Sequence, residues 1–130
     1  IMERKRPTES EYFASLSAEA GIVDMGGGVM GRQLKSGKGA TPRLSSVVMV
    51  YYKGMLTNGK VFDDNTRQSY PDAMRLKDLI VGWHIALQKM KVGDKWIIYI
   101  PSKFGYGSRA LKGIPKNSTL IFEIELCGIA

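Results

Sequence analysis

The chain has little of what covalent or metal chemistry needs. Its one cysteine, Cys127, excludes an intrachain disulfide and leaves the redox compartment undecided. Cys127 continues a terminal apolar stretch and reads as a small packed residue with no reactive motif around it. The one histidine, His84, has no second ligand type at metal-like spacing, so it reads as a surface or packing residue and no metal site is expected. No Ser/His/Asp or Cys/His arrangement has spacing support. No run approaches the roughly twenty apolar residues of a membrane span. No signal peptide is visible; because the chain opens on Ile1-Met2, that absence is uninformative. Gly26-Gly27-Gly28 lacks the Lys-Ser/Thr ending and following helix of a phosphate loop, so it reads as a turn, and no cofactor is expected.

Acidic residues are also few, twelve against nineteen Lys and Arg, giving a net charge of +7. Such a balance permits contact with nucleic acid or an anionic membrane. The cations are scattered, however, over Arg4-Lys5-Arg6, Arg32 to Arg43 and Lys103 to Lys116. No nucleic-acid recognition pattern accompanies them, so a solvated basic surface is the reading.

What is present is enough for one domain and a short appendage: 130 residues, 44% of them hydrophobic. Fifteen glycines point to turns and short strands. Thr8 and Glu11 have capping-box spacing, and Tyr12, Phe13, Leu16 and Ala20 recur at helical spacing, which predicts a helix from Glu9 to Ala20. So short a helix must pack on something. Strands are predicted over Val29 to Lys35, Val47 to Leu56, Val61-Phe62, Met74 to Leu76 and Lys95 to Ile100. Asn58-Gly59 is the strongest hairpin signal. Trp83, Leu87 and Met90, at i, i+4 and i+7, mark the inner stripe of a short helix from Trp83 to Met90. In the last strand Leu120, Phe122, Ile124 and Leu126 alternate with Glu123 and Glu125, the signature of a half-buried strand. The sum is an α+β domain: a curved, mainly antiparallel sheet of about five strands wrapped on one short helix, with an N-terminal helical segment. Residues 1–28 read as appendage and linker, and 29–130 as the main domain.

Taken singly, Trp83, Phe122, Tyr52 and Phe62 read as core aromatics and Asp63 as a turn residue. Their register says more. Val50-Tyr51-Tyr52-Lys53-Gly54-Met55-Leu56, Asn58 to Asp63 and Leu79-Ile80-Val81-Gly82-Trp83 resemble the FK506-binding type of peptidyl-prolyl isomerase, as do Met90 to Asp94, Phe104-Gly105-Tyr106-Gly107, Ile114-Pro115 and Thr119 to Leu126. The resemblance covers residues 29–130 in the family's order and spacing. The preceding helix resembles the bacterial envelope (macrophage infectivity potentiator-like) branch, which implies a periplasmic or envelope location and a possible homodimer through a longer N-terminal region.

The resemblance implies a non-covalent isomerase of X-Pro bonds that acts on proline-containing polypeptides and binds FK506- or rapamycin-type macrolides, with no nucleic-acid partner. Carried over by position, Tyr52, Phe62, Trp83 and Phe122 are the aromatic walls, with Trp83 the floor. Leu79 and Ile80 match a Val-Ile pair whose second N–H meets a ligand carbonyl. Tyr106 matches the loop tyrosine whose hydroxyl does the same. Asp63 matches the acid beside the pocket, and Ile114 an apolar residue on the loop's far side. The chain departs from the family at Met74, where an aromatic is usual; at Gly105, where alanine is common; at Gly113, which often is bulky; and in the loop Ser108 to Gly113, with Arg109 and Lys112. These departures bear on macrolide affinity more than on activity. The alternative is a proline-segment binding or chaperone module on the same fold with little catalysis.

Overall fold

A computed structural model describes residues 6–130, so the Arg4-Lys5 part of the charged entry lies outside the described residues. The elements are α1 (Glu9–Ser17), β1 (Ile22–Gly26), β2 (Val29–Lys35), β3 (Val47–Leu56), β4 (Val61–Asp64), β5 (Asp72–Arg75), α2 (Val81–Leu87), β6 (Lys95–Ile100) and β7 (Leu120–Ile129). The strands form one antiparallel sheet in the order β1-β2-β6-β7-β3-β4. β5 pairs with the first half of β3 through Val47 to Val50, and β4 with its second half from Lys53.

There are seven strands, against about five in the sum and six stretches predicted one by one. The addition is β1, whose burial is one-sided only at Met25, so no alternation marks it in sequence. Its hairpin with β2 turns through Gly27 and Gly28, both at positive φ, as the glycine run predicts. The strand expected over Met74 to Leu76 begins earlier, at Asp72, and Leu76 opens a 3-10 turn. α1 stops at Ser17 rather than Ala20, where the Ser17 hydroxyl donates back to the Ala14 carbonyl at 2.9 Å. Its start is as predicted: Thr8 and Glu11 each accept the other's amide at 3.1 Å. α2 runs from Val81 to Leu87 rather than Trp83 to Met90, and Met90 is reached by one further turn.

The concave face of the sheet packs on α2. Val29, Val48, Val50, Ile98, Ile124 and Leu126 meet Trp83, Ala86, Leu87 and Met90 in one buried cluster. Gly82 permits this approach, because a Cβ there would lie 2.4 Å from an Ile100 side-chain carbon. The convex face is polar and carries the Lys95–Glu123 ion pair at 3.1 Å. Cys127 is on this face and exposed, contrary to the packed position expected. It shares the outward parity of Glu123 and Glu125 and is the extra residue of a bulge, Val50 pairing Leu126 and Met49 pairing Gly128. No helix among the described residues is long and apolar enough to cross a membrane.

Candidate active site

β3, β4, β7 and the start of α2 bring four rings together. The Trp83 ring stands edge-on to Tyr52 and to Phe122, with both centroids 5.3 Å away. Phe62 meets Phe122 edge-on at 5.6 Å, and Tyr52 meets it tilted at 6.4 Å. Such edge-to-face pairs add about 0.5–1.5 kcal/mol each beyond area burial. Trp83 is placed by the N-terminal turn of α2, where Ile80 caps the helix and its carbonyl accepts the Trp83 amide at 2.9 Å.

The other apolar candidates join the same cluster. Ile114 is buried in it, and Met74, Leu79, Ile80 and Tyr106 are partly buried against it. Asp63 is exposed but tied in, accepting the Tyr52 hydroxyl at 2.7 Å. Burial first, then the bond to Asp63 and the nearby charges, push the Tyr52 phenol well above its ordinary pKa. Two donors stay unengaged: neither the Ile80 N–H nor the Tyr106 hydroxyl donates to an acceptor among the described residues.

Tyr106 and Ile114 share a folded loop. Gly105 and Gly107 donate to the Ser102 carbonyl at 3.0 and 2.8 Å, Arg109 to the Tyr106 carbonyl at 3.0 Å, and Asn117 to the Gly107 carbonyl at 2.7 Å. Leu111 and Ile114 exchange bonds at 2.9 and 3.0 Å, so Lys112 and Gly113 form a tight turn. Gly113, at φ +80, lies over Phe62, with an added Cβ only 3.7 Å from the Phe62 Cβ. Residues 102–118 hold Lys103, Arg109, Lys112 and Lys116, all exposed, and no acid. None of the four is ion-paired among the described residues.

Two supports of the site escape a reading of the sequence alone. A Cβ on Gly54 would sit 2.7 Å from Phe62 Cζ and 2.8 Å from Phe122 Cε1, so glycine lets both walls close in. Glycine inside a strand signals close backbone approach, without saying of what. Asn65 is buried and fills the gap between β4 and β5. Its Oδ1 accepts the Tyr52 amide at 2.6 Å, and its Nδ2 donates to the Val50 carbonyl at 3.1 Å and to Asp72 at 3.0 Å. The side chain thus stands in for missing strand neighbours and holds the Tyr52 backbone.

His84 leaves Nε2 buried and without a hydrogen-bond partner among the described residues. No group of three His, Cys, Asp or Glu side chains able to hold a metal occurs among them. Two concavities, of about 500 Å³ beside α1 and about 440 Å³ on the convex face, include no ring of the cluster.

Four packed rings, with unengaged donors on Ile80 and Tyr106 packed beside them, suit a class of proteins that bind and turn proline segments without covalent chemistry. The match to known proteins names the class: residues 38–127 fit the FKBP-type peptidyl-prolyl cis-trans isomerase family, and the chain belongs to that family. It is similar to the FKBP-type peptidyl-prolyl cis-trans isomerase FkpA of Escherichia coli K12, 37% identical over 119 residues, covering 92% of this chain and 44% of that protein. It is similar to the outer membrane protein MIP of Legionella longbeachae, 33% identical over 128 residues, covering 98% and 55% respectively. The crystal structure of a peptidyl-prolyl cis-trans isomerase from Pseudomonas syringae pv. tomato superposes with a TM-score of 0.86 at 34% identity, covering 98% of this chain and 99% of that one. The chain spans about half the length of the curated relatives it matches.

Proposed function

We propose that the chain accelerates cis–trans isomerisation of X-Pro bonds in polypeptides, with Tyr52, Phe62, Met74, Leu79, Trp83, Ile114 and Phe122 enclosing the proline segment. The observation that carries this reading is the four-ring dish with the unengaged Tyr106 hydroxyl and Ile80 N–H beside it. Rotation about an amide meets a barrier of about 18–20 kcal/mol, because resonance holds the unit planar. The planar amide is the charge-separated form, so an apolar dish disfavours it relative to the twisted one. Donors fixed for the twisted geometry add stabilisation that the ground state does not receive. Tyr106 and Ile80 supply those donors, and Asp63 orients the Tyr52 ring through its hydroxyl.

Residues 29–130 are the isomerase domain in this reading, and 1–28 its N-terminal appendage. The name outer membrane protein for the Legionella relative supports a bacterial envelope location. Macrolides of the FK506 and rapamycin type are ligands of the same dish, and a homodimer forms through a longer N-terminal region.

The test is the cis-to-trans rate of an Ala-Leu-Pro-Phe peptide in the cold, where spontaneous exchange is slow, with and without FK506. Acceleration that FK506 abolishes supports both the activity and the pocket. Acceleration that persists keeps the enzyme and marks Met74 and the Ser108 to Gly113 loop as a reshaped rim. No acceleration from a folded sample, or full activity in folded Trp83→Ala and Phe122→Ala, refutes the reading in favour of a binding module.

A further inference from the structure

We infer that Glu9, on the N-terminal helix, is a positioning residue for the isomerase site, holding both ends of the loop that carries Tyr106 and Ile114. The inference rests on the isomerase reading above. Glu9 lies outside residues 38–127, where the family match falls.

An acid in the first turn of a helix ordinarily serves the helix's own amides. Glu9 instead reaches across the molecule. Its carboxylate accepts the Ser102 backbone amide at 2.8 Å, the Ser102 hydroxyl at 3.1 Å and the Thr119 hydroxyl at 2.5 Å. Ser102 and Thr119 are the second and the last residue of the loop between β6 and β7 that holds Tyr106 and Ile114. One carboxylate therefore closes the loop's neck. The Ser102 carbonyl, on the residue so held, receives the amides of Gly105 and Gly107, the two neighbours of Tyr106. Glu9 is thus a single residue removed from the turn that carries Tyr106.

The helix presenting Glu9 is itself fixed. Leu16 is buried beneath it. At its far end Arg32 donates to the Ala20 carbonyl at 2.7 Å and pairs with Glu19 at 2.9 Å. Glu11 is spent on the capping box, so Glu9 is free to face the loop.

The experiment uses the full chain and a kinetic cycle of Glu9→Ala and Tyr106→Phe, with Glu9→Gln as the conservative variant. Glu9→Ala lowers kcat/KM on the order of tenfold, within the roughly hundredfold that an ångström of misplacement can cost. Glu9→Gln, which keeps one acceptor, recovers part of it. In the Tyr106→Phe background the same change costs less than about threefold, because coupled residues are non-additive. Amide exchange at Gly105 and Gly107 quickens while that of β3 and β7 does not. Unchanged kcat/KM in folded Glu9→Ala, or equal losses in both backgrounds, overturns the inference. If Glu9→Ala does not fold, Ser102→Ala, which removes one hydroxyl donor, takes its place in the cycle with the same expected coupling. A wild-type chain that does not accelerate the peptide refutes the isomerase reading instead, and the exchange at Gly105 and Gly107 then decides the role of Glu9.

Discussion

Replacing Gly54 by alanine damages the site more than it damages the fold. The added Cβ falls 2.7–2.8 Å from carbons of Phe62 and Phe122, where ordinary carbon contacts are about 3.5–4.0 Å. Close to an ångström must be found. Phe122 does not supply it: it is 5% exposed on the inner strand β7 and wedged between Trp83 and Phe62. Phe62 does, because it is half-buried on the edge strand β4. Overpacking of this kind costs about 1–3 kcal/mol, so Tm falls by roughly 6–10 °C for a middle value of about 2 kcal/mol. In the proposed function the displaced wall meets the substrate, and misplacement by an ångström costs up to about a hundredfold in rate. The assay pairs kcat/KM on the Leu-Pro peptide in the cold with thermal unfolding. Gly59→Ala is the control. Its Cβ meets nothing within 4 Å, but its φ of +87° strains any other residue, so it loses stability without activity. Gly54→Ala that retains kcat/KM as fully as Gly59→Ala refutes the reasoning.

Asp94 gives a pH dependence. Burial alone pushes its carboxyl up, but the amides of Gly37 and Lys91, the Trp96 indole N–H and the Lys91 charge together hold it below its ordinary value. Its stabilisation is therefore present above the unfolded pKa and is lost as pH falls through the lower folded one. Asp94→Asn costs about 3 kcal/mol at neutral pH, the order of one charge-assisted bond, and flattens the acid limb of a urea-denaturation series against pH. The cationic loop gives a substrate preference. Reversing Arg109 and Lys112 to glutamate lowers kcat/KM for an Ala-Glu-Pro-Phe peptide relative to Ala-Leu-Pro-Phe by about threefold per charge, the scale of exposed pairs, and added salt erases the difference. Gly105→Ala lowers Tm by roughly 3–5 °C, because its Cβ would lie 2.9 Å from Cδ1 of the wholly buried Leu120 and overpacking costs at least about 1 kcal/mol.

What was legible in the sequence is what is local or periodic. Leu120, Phe122, Ile124 and Leu126 are buried as the alternation predicts, because a half-buried strand writes its two faces every second residue. Asn58-Gly59 makes the predicted hairpin, with Leu56 donating to Lys60 at 2.9 Å. The capping box of α1 is equally local. β1 was not legible, since Met25 alone among its residues is buried. Nor were the polar supports. Glu9 writes like any first-turn acid, while its partners stand 93 and 110 residues away. Asn65 writes like a loop residue beside two aspartates, while it replaces strand backbone next to Tyr52.

The four rings pose a subtler problem, because the same residue types build cores and proline pockets. Composition cannot separate the two, and only the order and spacing of the surrounding stretches pointed to a pocket. The geometry separates them by a small margin. Ile98, Ile124 and Leu126, on the same concave face, are wholly buried, whereas Tyr52 and Phe62, packed on the same cluster, stay partly exposed. A core gains by closing that gap; a floor that is to meet a proline ring cannot. Gly54 keeps the walls near enough to touch, and Glu9 closes the neck of the loop that carries Tyr106 and Ile114 beside them. Crowding the walls, by Gly54→Ala, and loosening the loop beside them, by Glu9→Ala, lower activity by separate routes.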